Sequence, residues 1–213
     1  MEVLPAFIPD FDVSPQTSDE RPSARPYFLF VGRLERFKGL QEVIPTFADY
    51  EDADLLVAGD GDYEGVLRTQ AAGMQRVRFL GRVSQDDLAR YVRHAVALVV
   101  PSLCYETFGV ILIEAFRQST PVIARRLGPF PEIVEQSGGG ELFENAAEMI
   151  GSMRRLQGDA RHRDQLGRCG YAAFQKYWSQ HVVVPGYLEI VRCAAERKHR
   201  APPPPRQLSS AVY

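Results

Sequence analysis

From Tyr27 onward, short runs of consecutive apolar residues alternate with longer helix-like stretches, and no other feature constrains the fold as tightly. Tyr27–Val31, Leu55–Ala58, Val77–Leu80, Ala95–Val100 and Pro121–Ala124 are strand candidates, with Glu141–Phe143 as a sixth. Most are apolar at successive positions, not at every second one, as expected of strands covered on both faces. Helical segments fall between them. One runs from Gly39 to Tyr50 and is kinked by Pro45, and another from Tyr63 to Ala72. A third, toward His94, is opened by Ser84 with Asp87 three residues on. Gly109–Gln118 is helical, and so is most of the chain from Asn145 to about Arg200. This alternation predicts an α/β domain built on one doubly wound parallel sheet.

The flanks differ. Pro5, Pro9, Pro15, Pro22 and Pro26 make residues 1–26 an extended, hinge-like lead-in. The folded domain is expected over 27–195. Residues 196–213, with Pro202–Pro205 in a row, are expected to be a disordered tail. The 213 residues carry 25 basic and 27 acidic side chains, a formal charge of −2, which excludes a dedicated nucleic-acid binder. The longest apolar runs, Ala95–Val100 and Val110–Ile113, fall far short of the roughly 20 residues that span a bilayer. The N-terminus lacks the pattern of a secretion signal. Cys104, Cys169 and Cys193 are odd in number and far apart, so no disulfide framework is expected. A cytoplasmic protein follows, at most peripheral on a membrane surface. His94, His162, His181 and His199 show no metal-ligand spacing, and no metal or cofactor is expected.

In an open parallel sheet, ligands bind beyond the carboxyl ends of the strands. After the first strand comes Gly32-Arg33-Leu34-Glu35-Arg36-Phe37-Lys38-Gly39. Arg33 and Lys38 together suit a diphosphate, while seen alone they read first as two solvated charges. After the fourth strand, Pro101 to Gly109 leads into a helix whose open N-terminus is a natural phosphate seat. Glu106 precedes that helix and Glu114 lies inside it. Val110, Ile111, Leu112, Ile113, Ala115 and Phe116 make the helix apolar nearly all round, so it should be buried and Glu114 needs a partner. Ligand hydroxyls such as those of ribose would serve, and so would a salt bridge to Arg117 or Arg82. Gly59-Asp60-Gly61 and Gly81-Arg82-Val83 are thin loops beside a base, or turns. Gly138–Gly140 is a glycine run without the Lys-Ser or Lys-Thr of a P-loop, and no Gly-x-Gly-x-x-Gly follows the first strand.

Taken in order, these segments resemble the C-terminal, nucleotide-sugar-binding domain of the retaining GT-B glycosyltransferases of family 4, also called group 1. The matching features are Gly-Arg-Leu…Lys-Gly (32–39), Val-Ala-Gly-Asp-Gly (57–61) and Phe-Leu-Gly-Arg-Val (79–83). They continue with Glu106-Thr-Phe-Gly…Glu114, two glutamates with seven residues between, and Pro121 to Val134. The resemblance implies a Rossmann-like domain and a nucleotide-diphosphate sugar as donor substrate. It gives Arg33, Lys38 and Glu106 the catalytic roles: the two cations on the diphosphate, Glu106 on the sugar hydroxyls. It places ribose on Glu114, phosphate at the backbone of Thr107, Phe108, Gly109 and Val110, the base near Val83, and close backbone approach at Gly32 and Gly59. The product would keep the α configuration. Phe37 stands where many members carry an acid. Members also have an N-terminal acceptor domain, so this chain is expected to be the donor half of an enzyme, completed by another domain or subunit. The other readings are a non-catalytic nucleotide-sugar binding module, or a scaffold on a decayed fold whose Pro-rich tail docks an SH3-like partner. An open face after the strands and exposed apolar surface are expected in either of the first two cases.

Overall fold

A computed structural model describes residues 5–9 and 20–200. Of the tail expected over 196–213, residues 196–200 belong instead to a helix that runs to Arg200; 201–213, and residues 1–4 and 10–19 of the lead-in, lie outside the described residues. The strands are β1 (Tyr27–Val31), β2 (Asp54–Ala58), β3 (Val77–Gly81), β4 (Ala97–Val100), β5 (Val122–Arg125) and β6 (Gly140–Phe143). All pair in parallel, in the order β3-β2-β1-β4-β5-β6. The helices are α1 (Leu40–Val43), α2 (Glu64–Gln70), α3 (Gln85–His94), α4 (Val110–Arg117), α5 (Phe130–Ser137), α6 (Ala146–Gly158), α7 (Ala160–Ala173) and α8 (Gln180–Arg200).

Strand pleating sends successive side chains to opposite faces, so consecutive apolar residues build two cores at once. Phe28, Phe30, Leu55, Val57 and Val99 pack with α1, α2 and α6 on one face. Tyr27, Leu29, Leu56, Leu98 and Val100 pack with α3, α4 and α5 on the other. There Trp178 stacks on Phe116 with ring centroids 5.9 Å apart.

Three local differences from the sequence reading have clear causes. The segment expected from Gly39 to Tyr50 stops being α-helical at Val43 and continues as a 3-10 turn over Ile44–Ala48, because Pro45 has no N–H to give the helix. Helix α5 was not expected at all. Its prolines, Pro129 and Pro131, occupy the N-terminal turn, where a missing N–H costs nothing. The described part of the lead-in is anchored: Ile8 forms a β-bridge with Ser179, donates its N–H to the Trp178 carbonyl at 3.3 Å, and is buried in the α3/α4/α5 core. Order therefore does not begin at Tyr27. Gly139 and Gly140 of the glycine run are packing residues, since a Cβ at Gly139 would stand 2.5 Å from the Phe116 ring and one at Gly140 2.4 Å from the Val122 carbonyl oxygen. Among the described residues no helix is long and apolar enough to cross a membrane.

Candidate functional site

The strand order reverses between β1 and β4, and at such a switch point the connections leave in opposite directions and open a crevice. The loops after these two strands, 32–39 and 101–109, face each other across it. They are locked together by backbone: the Leu103 N–H donates to the Phe37 carbonyl at 2.7 Å. Gly39 has φ +76° and lies so close to Pro101 that a Cβ would stand 2.0 Å from its carbonyl oxygen.

Between the loops is a cavity of about 340 Å³ lined by Gly32, Lys38, Glu106, Thr107, Gly109, Val110 and Glu114, with Phe30, Ser102, Ile111 and Phe130. Lys38 Nζ donates to Glu106 Oε1 at 2.5 Å, and the hydroxyl of buried Ser102 donates to the same oxygen at 3.0 Å. Both members of the ion pair are largely shielded from solvent. Helix α4 starts at this cavity. Its N-cap is Gly109, at φ +87°, which offers no side-chain acceptor; the Leu112 N–H donates to the Gly109 carbonyl at 3.0 Å, and those of Val110 and Ile111 are left for another acceptor.

Helix α4 is not buried all round. Leu112, Ile113, Ala115 and Phe116 face the core, whereas Glu114 follows Ile111 by three residues and Val110 by four, and all three line the cavity. Glu114 also lines a second cavity, of about 150 Å³, between α3 and α4, with Gln85, Leu88, Val92 and Arg117. Glu114 is thus a wall shared by both cavities. Neither arginine considered as its partner forms an ion pair with it among the described residues: Arg82 pairs with Asp60 at 2.7 Å, and Arg117 donates to the Pro9 carbonyl at 3.1 Å. Burial pushes the Glu114 carboxyl above its ordinary range, and the Arg117 charge offsets only part of this.

That shift has a stability consequence. A raised carboxyl pKa in the folded protein means a contribution present at low pH and lost as pH rises through the folded value. In its ionised form Glu114 therefore works against folding. Glu114→Gln should stabilise the unliganded protein by roughly 0.5–1 kcal/mol at pH 7, with the gain shrinking toward pH 4, in thermal melts. A loss of stability at pH 7 would mean that the carboxylate has a folded-state partner.

The remaining expected residues lie outside this cavity. Arg33 is turned to solvent, with 76% of its side chain exposed, and pairs with Glu35 at 2.8 Å. Val83 and Phe108 are partly buried against the α3/α4/α5 core. Gly59 is a junction of loops: its N–H donates to the Gly81 carbonyl at 2.7 Å, and a Cβ there would stand 2.0 Å from the Gly32 carbonyl oxygen. Ser102 and Phe130 were not expected in the site. Ser102 directly follows Pro101 at the end of β4 and was readable on that ground. Phe130 arrives from α5, which was not. Phe37, Leu103, Tyr105 and Val110 are exposed large apolar side chains on the same two loops and the start of α4, Tyr105 at 80%.

The six-stranded, doubly wound parallel sheet flanked by helices has the Rossmann-like architecture of a GT-B glycosyltransferase domain. The profile of glycosyl transferases group 1 matches residues 16–173, and the chain belongs to that family. It is 33% identical over 161 residues to a phosphatidyl-myo-inositol mannosyltransferase of Mycobacterium leprae, covering 71% of this chain and 42% of that one. In fold it is similar to Anabaena Alr3699/HepE, solved in complex with UDP, with a TM-score of 0.71 and 21% identity over 81% of this chain and 49% of that one. It is similar too to the C-terminal domain of the group 1 protein LpcC from Francisella tularensis, with a TM-score of 0.65 and 24% identity over 81% of this chain and 96% of that one. The chain spans less than half of the mannosyltransferase and of HepE.

Proposed function

We propose that this chain is the donor-binding part of a retaining, metal-independent glycosyltransferase that moves a sugar from a nucleotide diphosphate to an acceptor with α configuration. The acceptor site would come from a further domain or subunit. The observation that carries this reading is the meeting of Lys38, Glu106, Glu114 and the open N-terminus of α4 in one cavity at the switch point. In this reading the diphosphate lies across the α4 N-terminus, met by the backbone from Thr107 to Val110, with Lys38 on it and Arg33 swinging in from Glu35. A cation and fixed backbone dipoles stabilise charge that builds on a leaving diphosphate without reorganising at the moment of transfer. Glu106 holds sugar hydroxyls and Glu114 the ribose. The space between α3 and α4 then lies on the base side, near the Val83 backbone. Binding of UDP by the similar-folded HepE supports the ligand class.

The test is calorimetric titration with UDP, GDP, ADP and their sugars, alongside Glu114→Ala and Arg33→Ala. Binding of one nucleotide, reduced at least tenfold in both variants, is the expected result. Binding equal in both variants and the parent, or none by the folded parent, would overturn the assignment.

A further inference from the structure

The Lys38–Glu106 pair exists only if two loops from different strands keep their spacing, and one side chain outside the cavity bridges their supports. We infer that Arg125, at the end of β5, is a positioning residue that clamps the two donor loops from beneath without touching ligand. The inference rests on the donor-site reading and extends it to a residue that the cavity does not include.

Arg125 Nε donates to the Pro101 carbonyl at 3.1 Å, at the root of the loop that carries Ser102 and Glu106. One terminal nitrogen pairs with Glu42 of α1, four residues beyond Lys38, and the other donates to the Glu144 carbonyl after β6 at 3.4 Å. The guanidinium also lies over the Phe143 ring, 5.1 Å from its centroid, and the side chain is only 15% exposed. Its fork thus joins the ends of β4, β5 and β6 to the first helix after β1. The carbonyl it holds is the one against which Gly39 packs. Arg125 and Gly39 thus both bear on the Pro101 carbonyl, and the loops they join carry Lys38 and Glu106.

The chemistry needed is particular to arginine. Its donors diverge in a rigid plane, so one group can hold a carbonyl on one edge and a carboxylate on another. A lysine at 125 keeps the charge and can reach one partner at a time. Displacements of about 1 Å in such machinery are enough to cost up to ~10²-fold in function. The half exposure of Glu42 limits what the ion pair itself adds to stability.

The experiment compares Arg125→Lys and Arg125→Gln with the parent by thermal melting, nucleoside diphosphate titration and amide hydrogen exchange. Expected are a small change in melting temperature, affinity lowered about tenfold in both variants, and exchange faster about tenfold at residues 37–39 and 102–106. In a Lys38→Ala background, Arg125→Gln should cost little further affinity, because the clamp acts through the placement of Lys38. Unchanged affinity in both variants would overturn the inference while leaving the donor site standing. No binding by the parent would overturn the donor site, and the exchange pattern would still decide whether Arg125 holds the loops. Unaltered or uniformly raised exchange would refute the clamp.

Discussion

Glu106→Gln is expected to tighten binding of a bare nucleoside diphosphate about three- to tenfold and to weaken binding of the corresponding nucleotide sugar. Without ligand the Lys38 ammonium is committed to Glu106 at 2.5 Å, so an incoming diphosphate must draw the cation away and then lie beside the remaining carboxylate. Both effects oppose a dianion. Unit charges 4 Å apart interact by about 4 kcal/mol at an effective dielectric of 20, which is ample to fix the sign after screening. Glutamine keeps an acceptor for the Ser102 hydroxyl, now 3.0 Å from Oε1, and removes only the charge. The sugar donor should respond differently, because in the proposed donor site Glu106 is the acceptor for sugar hydroxyls, and the variant removes its charge. Lys38→Ala should move affinity the other way, by roughly 10²-fold for the diphosphate, since it removes the cation and leaves Glu106 facing the ligand. Combining the two changes should recover part of that loss. Titration of the three variants with both ligands decides the matter. If Glu106→Gln weakens diphosphate and sugar donor alike, the carboxylate serves to aim Lys38 and does not compete for it.

The same pair marks how far the sequence could be read. The sheet was legible because strands covered on both faces need consecutive apolar residues, as in Phe28-Leu29-Phe30, where alternate side chains enter different cores. The placement of Lys38, Glu106 and Glu114 was legible because the carboxyl ends of parallel strands gather chemistry at the switch point. Side-chain pairing across the sheet was not. Lys38 and Glu106 are 68 residues apart, Glu42 and Arg125 83, and no local pattern records which charge meets which. Helix α5 escaped because a proline reads as a breaker unless the turn it occupies is known to be the first. Ile8 escaped for a different reason: the three apolar residues Ala6-Phe7-Ile8 between Pro5 and Pro9 are too few to show a period, and only the sheet's second core explains its burial. Glu114 was legible as a problem, a carboxylate on an apolar helix, and the fold turned that problem toward a cavity instead of an arginine.

Gly39→Ala is expected to be the most damaging single-carbon change in the site. It should lower stability by roughly 2–4 kcal/mol, lower the melting temperature by about 5–15 °C, and abolish nucleotide binding. Two costs add. The residue sits at φ +76°, in the left-handed region, where a Cβ costs about 1–2 kcal/mol. The added carbon would also stand 2.0 Å from the Pro101 oxygen and 3.3 Å from Leu103 Cγ, so the loops must part. Parting them separates Lys38, its immediate neighbour, from Glu106, and takes strain to the Leu103–Phe37 hydrogen bond. Gly39 also joins two elements: its N–H closes the 3-10 turn over Arg36–Lys38, and its carbonyl accepts from Glu42 at the start of α1. The control is the same chemical change at Gly65 in α2, where a Cβ meets nothing within 4 Å and φ is ordinary. There alanine should stabilise by up to about 1 kcal/mol, because it restricts the unfolded chain and suits a helix. Opposite signs for one substitution at two glycines would separate close approach from composition. A Gly39→Ala variant that melts like the parent and binds nucleotide would show that the two loops are free to move apart, and that the cation and the carboxylate find each other by some other constraint.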